Sequence, residues 1–159
     1  MDKFLEIIRP NLKLILGALV VIFVIAVIIT IFARLGKSTT VSMNNKTFKV
    51  TVAKTIEEKQ KGLSGQKSLG QDKGMLFVFN EKGYYSFWMK DMKFPIDIIF
   101  IDGETIVTIY KNISNPPSGK NPSTVYQPKQ AVDKVLEVNS GISAKYNIKE
   151  GNKVEFKNL

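Results

Sequence analysis

From Leu14 to Ala33 the chain reads LILGALVVIFVIAVIITIFA, twenty residues without a charge and with Thr30 as the sole hydroxyl. Wound as an α-helix at about 1.5 Å per residue, such a run spans a hydrocarbon core of about 30 Å. Lys13 and Arg34 bracket it, and their long side chains can reach headgroups from either end. A cleaved secretory signal has a shorter apolar stretch and ends in a small-x-small site. The exit here is Phe32-Ala33-Arg34-Leu35, which lacks that site. The run is therefore read as an uncleaved transmembrane helix over residues 14–33. Lys3, Arg9 and Lys13 precede it and Arg34 and Lys37 follow it, so flanking charge alone sets no orientation. An anchor near the N-terminus followed by a long folded segment most often leaves its start in the cytosol. Residues 1–13 are thus expected to be cytoplasmic, with a single-pass anchor in the cell membrane and an extracytoplasmic domain behind it.

About 125 residues remain, enough for one domain and one core. The chain has no cysteine and no histidine. Thiol nucleophiles, disulfides, the Ser-His-Asp triad and the usual zinc sites are thereby excluded, and acid-base chemistry falls to Asp, Glu, Lys or Tyr. No cofactor and no metal is expected. Beyond Arg34 there are nineteen lysines, twelve carboxylates and no arginine, a net charge of +7. Readers of nucleic acid depend on the bidentate guanidinium, so the lysines are read as a solvated surface near anionic headgroups, with the membrane as partner and nucleic acid not.

Residues 35–46 (LGKSTTVSMNNK) are small and polar, so 34–46 are taken as a linker and 47–159 as the domain. Phe48 to Val52 alternates apolar and polar, as a half-buried strand does. Thr55-Ile56-Glu57-Glu58 opens a short helix with Thr55 as cap, ending at Gly62 or Gly65. Met75–Phe79 and Tyr84–Met89 read as a hairpin about Asn80–Gly83, and Ile96–Ile101 and Thr105–Tyr110 as a second hairpin about Asp102-Gly103. Residues 111–131 hold four of the six prolines and no periodicity, a long loop suited to a lid or a rigid connection. Val135–Val138 is a strand, Ser140–Tyr146 a short helix, and Lys153–Phe156 a closing strand after a turn at Gly151. The domain is mostly β.

Four residues stand out. Asp97 sits between Ile96 and Ile98 in a run apolar on both faces, so its carboxyl is expected to be buried. Burial requires pairing with a lysine such as Lys90, backbone N–H bonds, or a ligand-binding role. Glu137 shares a strand face with Val135 and Asn139, where a carboxylate ordinarily meets water. If Glu137 and Asp97 met, they would form a pair suited to acid-base work. Trp88 must face away from Phe87 and Met89; such an indole is more often core than an exposed platform, here backed by Lys90, that stacks on a sugar ring.

The segments KGLSGQKSL (61–69), GMLFVF (74–79), FWMKDMKFPIDIIFID (87–102), VLEVNSG (135–141) and IKEGNKV (148–154) resemble domain-of-unknown-function family 192, in order and spacing, over about residues 46–157. The resemblance implies a β-sandwich or barrel-like domain with one or two short helices, common in prokaryotes behind a signal peptide or membrane anchor. It implies no activity. Two departures are Gln66, where the family commonly has arginine, and Asp91, where it commonly has asparagine. The functional expectation is a binding module for a small polar or saccharide-like ligand near Trp88, Lys90, Asp97 and Glu137. The alternatives are an envelope hydrolase using Asp97 and Glu137, or a protein-interaction module with an exposed apolar face and no pocket.

Overall fold

A computed structural model describes residues 2–35, 38–117, 119–120 and 122–159. The chain divides into two compact units at Ser38 and Thr39. The first is α1 (Asp2–Leu35), a helix of 34 residues. Within it Leu12–Ile31 is long and apolar enough to cross a membrane by length and composition, a test that a signal sequence also passes. Thr30 satisfies its hydroxyl by donating to the Val27 carbonyl at 2.8 Å.

The second unit is a mostly β domain. Its strands are β1 (Thr40–Met43), β2 (Lys46–Ala53), β3 (Lys73–Gly83), β4 (Phe87–Trp88), β5 (Ile96–Asp102), β6 (Thr105–Ile113), β7 (Val125–Tyr126), β8 (Val132–Asn139) and β9 (Glu155–Lys157). Two short helices join them, α2 (Ile56–Lys61) and α3 (Ile142–Lys145). Seven strands form one curled sheet in the order β6-β5-β8-β3-β2-β1-β9, and β4 pairs with β7 in a small second sheet. The curl brings the two ends of the large sheet together. The Ile106 N–H bonds to the Asn152 carbonyl and the Val154 N–H to the Glu104 carbonyl, so the sheet closes into a half-barrel at that end.

Strand β5, between β6 and β8, is buried on both faces, with Ile96, Ile98, Ile99, Phe100 and Ile101 fully buried. Each such side chain contributes about 1.5–3 kcal/mol relative to exposure. Its residues divide between two apolar clusters. Ile99 and Ile101 pack with Phe48, Leu76 and Val138 inside the curl. Ile96, Ile98 and Phe100 pack with Met75, Phe77 and Val135 on the other face.

Several local features depart from the sequence reading. The linker assignment of 34–46 is too long, because β1 and the start of β2 lie within it. Asn44 and Asn45 both take positive φ (45° and 61°), the two-residue turn that an Asn pair accommodates in a hairpin. No hairpin forms about Asn80–Gly83, because those residues continue β3, which pairs with β2 and β8. Tyr85 instead folds back, stacking on Phe79 at 3.5 Å and donating to the Glu81 carbonyl at 2.7 Å. The β5–β6 turn lies one residue beyond the Asp-Gly reading, at Gly103-Glu104, with Gly103 alone at positive φ (59°). The helix start at Thr55 and its stop at Gly62 agree with expectation. Thr55 and Glu58 form a reciprocal capping box, and Glu58 also accepts the Lys54 N–H. The helix α2 carries β2 into parallel pairing with β3.

Asp97 is fully buried, and its carboxyl accepts three backbone N–H groups, from Asn112 (2.8 Å), Gly141 (3.2 Å) and Ser143 (2.8 Å). Opposite it β6 has a bulge, since Ile96 faces Ile113 and Ile98 faces Tyr110, leaving Lys111 and Asn112 against Asp97 alone. Asn112 takes positive φ there (54°). Gly141 starts α3 with no side-chain cap of its own, so Asp97 reaches from β5 to satisfy that turn. Asp97→Ala leaves three N–H groups without their acceptor. We expect a loss of about 3–5 kcal/mol, read as a lowered urea midpoint of the full chain in zwitterionic micelles; a loss under about 1 kcal/mol contradicts this role.

Candidate functional site

A cleft of about 430 Å³ opens on the face of the sheet opposite the curl. One wall is α2 and the turn after it, with Ile56, Lys59 and Lys61. The other is the segment from Tyr85 to Trp88, with Phe77 and Phe79 of β3 between them and Glu137 at the floor. The aromatic residues are held by one another. Phe77 meets Phe87 edge-on at 4.9 Å, Phe87 meets Phe100 at 5.7 Å, and the chain of rings continues through Tyr110 to Tyr126 at 6.0 and 5.1 Å. The Lys59 ammonium lies 4.6 Å from the Phe79 ring centroid.

Glu137 is 5% exposed, and its Oε2 has no hydrogen-bond partner among the described residues. It lies opposite Met75 of β3 and Ile98 of β5, both apolar and buried. Burial in this setting pushes its carboxyl up to about 8 from an ordinary 4.5. The group is therefore mostly protonated at neutral pH, with an O–H that can donate into the cleft. The expectation of a solvent-facing Glu137 is overturned because both faces of β8 are covered. The alternation along the strand was correct, but the second face is a floor under aromatic rings rather than a surface.

Trp88 is 54% exposed and lines the cleft, while Met89 is buried, so the indole is a platform and the core reading fails. Its strand neighbour across the small sheet is Val125. The Lys90 ammonium lies 5.6 Å from the indole centroid. The cleft thus brings Trp88 and Glu137 together, with Lys90 on the indole. Asp97 is elsewhere. It stands opposite Val138 on the inner face of the sheet, whereas Glu137 stands opposite Ile98 on the outer face, so the backbone separates the two carboxyls. No ion pair joins Asp97 to Lys90 among the described residues.

Of the expected loop over 111–131, residues 111–113 continue β6, residues 118 and 121 lie outside the described residues, and the C-terminal part is tied to the body of the domain beside the cleft. Tyr110 donates to the Gln127 carbonyl at 2.8 Å, Gln127 Nε2 bonds to Ser86 Oγ at 2.8 Å, and the Lys129 N–H bonds to Thr108 Oγ1 at 3.0 Å. Asp91 has positive φ (55°), a conformation that Asn and Asp share, and its carbonyl accepts the Gly65 N–H. The departure from asparagine there is conservative for the backbone. Gln66 lines a separate depression with Lys49 and Lys73. Among the described residues no group of three or more carboxylates could hold a metal ion. Phe77, Phe79, Tyr85 and Lys59 were not singled out from the sequence. Their signal was the aromatic density of 75–89, which the hairpin reading placed in a sheet.

A buried, unpaired acid between aromatic walls and a lysine rim, on one face of a curled half-barrel, defines a small β domain with a built cleft. Residues 38–156 match domain-of-unknown-function family 192, described as an uncharacterised ACR, and the chain belongs to that family. It is similar to a solved protein of unknown function from Novosphingobium aromaticivorans, with 31% identity and a TM-score of 0.66, over 74% of this chain and 83% of the other. It is also similar to a solved protein from Sinorhizobium meliloti described as a candidate transcription regulator, with 26% identity and a TM-score of 0.69, over 77% of this chain and 96% of the other. No curated protein matches the chain significantly.

The raised carboxyl of Glu137 has a stability consequence. Below about pH 4.5 the residue is protonated folded or unfolded and imposes no penalty. Between about 4.5 and 8 the folded state holds a proton that the unfolded state releases, so stability falls as pH rises, and above about 8 the fall stops. Glu137→Gln mimics the protonated acid and removes the slope. The variant should be more stable than the parent by about 2–4 kcal/mol near pH 7 and equal to it near pH 4.5. Urea midpoints at both pH values test this; a difference that ignores pH refutes the assignment.

Proposed function

We propose that the domain is a binding module that holds a small, polar, ring-bearing ligand of saccharide-like character in the cleft. The observation that carries the reading is Glu137, whose carboxyl has an unpartnered oxygen at the floor of a cleft edged by an exposed indole. Leaving such a group unpaired costs about 1–3 kcal/mol, a cost offset when a ligand supplies the missing hydrogen bond. Trp88 offers a flat face for a ring, and Lys90 supports it from the side. The hydrolase reading loses its geometric basis, because Asp97 and Glu137 occupy opposite faces of the sheet. The interaction-module reading asks for a flat apolar face, and a cleft with a polar floor weighs against it.

Trp88 is the sole tryptophan, so it has the sole indole N–H of the chain. In ¹⁵N-labelled full-length protein, held in unlabelled phosphatidylcholine nanodiscs, that resonance should move on titration with a panel of monosaccharides and sugar acids. Trp88→Leu should weaken binding at least about tenfold, followed by calorimetry. An unmoved indole across the whole panel sinks the proposal.

We further propose that α1 anchors the domain on the outer face of the cell membrane. The support is the span Leu12–Ile31 and the folded segment behind it. Because the chain has no cysteine, a single introduced thiol is a background-free reporter. Lys67→Cys, at an exposed position, should react with an impermeant maleimide in intact cells, and Asp2→Cys only after permeabilisation. The reverse pattern inverts the orientation, and release of the domain into the medium identifies the helix as a cleaved signal.

A further inference from the structure

We infer that the ligand this cleft is built for is a ring-bearing organic anion, a sugar acid or sugar phosphate, whose acidic group is received by Lys59, Lys61 and the Glu137 carboxyl. The inference rests on the binding reading above and adds the charge and hydrogen-bonding sense of the ligand.

The argument starts from the lining. The cleft's titratable side chains are Lys59 and Lys61 from α2, Tyr85 from the segment after β3, and Glu137 from β8; its strand neighbours Met75 and Ile98 are apolar. Glu137, the sole acid of the lining, is buried with nothing but apolar strand neighbours, and burial is the cause that raises its carboxyl. Near neutral pH the cleft therefore presents cations and a protonated acid, with no carboxylate in the lining to balance the lysines. The described ion pairs of the domain engage Lys82, Lys129, Lys134 and Lys157, and none of Lys59, Lys61 or Lys90. Glu58, outside the lining, bonds through Oε2 to the backbone N–H groups of Lys54 and Thr55, and its charge also acts on Lys59 and offsets part of that lysine's field. Lys59 is held over the Phe79 ring at the wall, and Lys90, outside the lining, lies over Trp88. Such a site has a positive field in a partly water-excluded space, where a charge on the ligand is worth more than at an open surface.

The floor gives the second half. A protonated carboxyl donates one strong hydrogen bond, and the best acceptor for it is a carboxylate or phosphate oxygen. A neutral sugar offers hydroxyl donors, which suit an ionised Glu137 instead. The two ligand classes therefore have opposite pH dependence. Binding of an anion weakens as Glu137 ionises, about tenfold per pH unit above its midpoint, whereas binding of a neutral polyol strengthens.

The experiment titrates D-glucuronate and, as its neutral counterpart, D-glucose into the labelled full chain in phosphatidylcholine nanodiscs, from pH 6 to 9.5, following the Trp88 indole resonance. Glucuronate stays ionised throughout, so the pH profile follows the Glu137 carboxyl, which burial raises to about 8. We expect glucuronate to bind at least about tenfold more tightly than glucose at pH 6.5, to weaken above about pH 8, and to weaken with salt. Glu137→Gln should keep the binding and flatten the pH profile, because an amide also donates. Lys59→Gln with Lys61→Gln should erase the preference over glucose. If glucose binds as tightly as glucuronate at pH 6.5, or if affinity for glucuronate rises above pH 8, the anion inference is overturned and the binding reading stands. If neither sugar moves the indole, both fall.

Discussion

The domain depends on one carboxyl. Asp97 takes three backbone N–H groups that no strand ladder or helix can satisfy, one from the bulge in β6 and two from the turn into α3. An unpaired buried N–H is costly, so these two irregular pieces of backbone stay in place only while that acceptor is present. The bulge sets the register of β6 on β5, and the turn directs the chain away from β8 toward the last strands. Because β5 pairs with β6 on one side and β8 on the other, an error at Asp97 propagates to both neighbours.

Glu137 is the counter-example on the same pair of strands. One strand and one residue away in register, a second carboxyl is buried to nearly the same degree and has an oxygen that nothing in the described structure satisfies. The contrast is one of surroundings. Asp97 is met by three N–H donors, whereas Glu137 lies among apolar side chains and aromatic rings beside an opening. The similar solved proteins share the fold at 26–31% identity and bring no activity with them, so the chemistry of the cleft has to be read from its own residues.

Much of this was legible in the sequence. The apolar run, the Thr55 cap, the double-sided burial of Ile96–Ile101 and the single small domain all follow from local pattern, because each is decided by neighbours in the chain. The family resemblance supplied the barrel-like architecture, and residues 38–156 bear it out. What failed was decided by distant partners. The Asn80–Gly83 turn was undone by pairing of β3 with β8, where Gly83 lies opposite the distant Val132. The exposure of Trp88 follows from β4 leaving the main sheet for β7, which no periodicity encodes. The face of Glu137 was read correctly, but whether that face met water depended on α2 and the aromatic segment closing over it. Asp97 was expected to be buried, and among its possible partners the structure selects backbone rather than lysine.

The wall formed by α2 has no buried residue. It is held at one end by the Thr55–Glu58 capping box and at the other by Gly62, whose backbone passes close to the Phe77 ring. Substitutions at Gln60 or Lys61 therefore disturb neither apolar cluster, whereas Lys59 also lies over Phe79, which packs against one of them. The wall of the cleft and the two apolar clusters are thus largely carried by different residues. A lineage can change the charge and shape of that wall step by step, while selection on the core proceeds undisturbed.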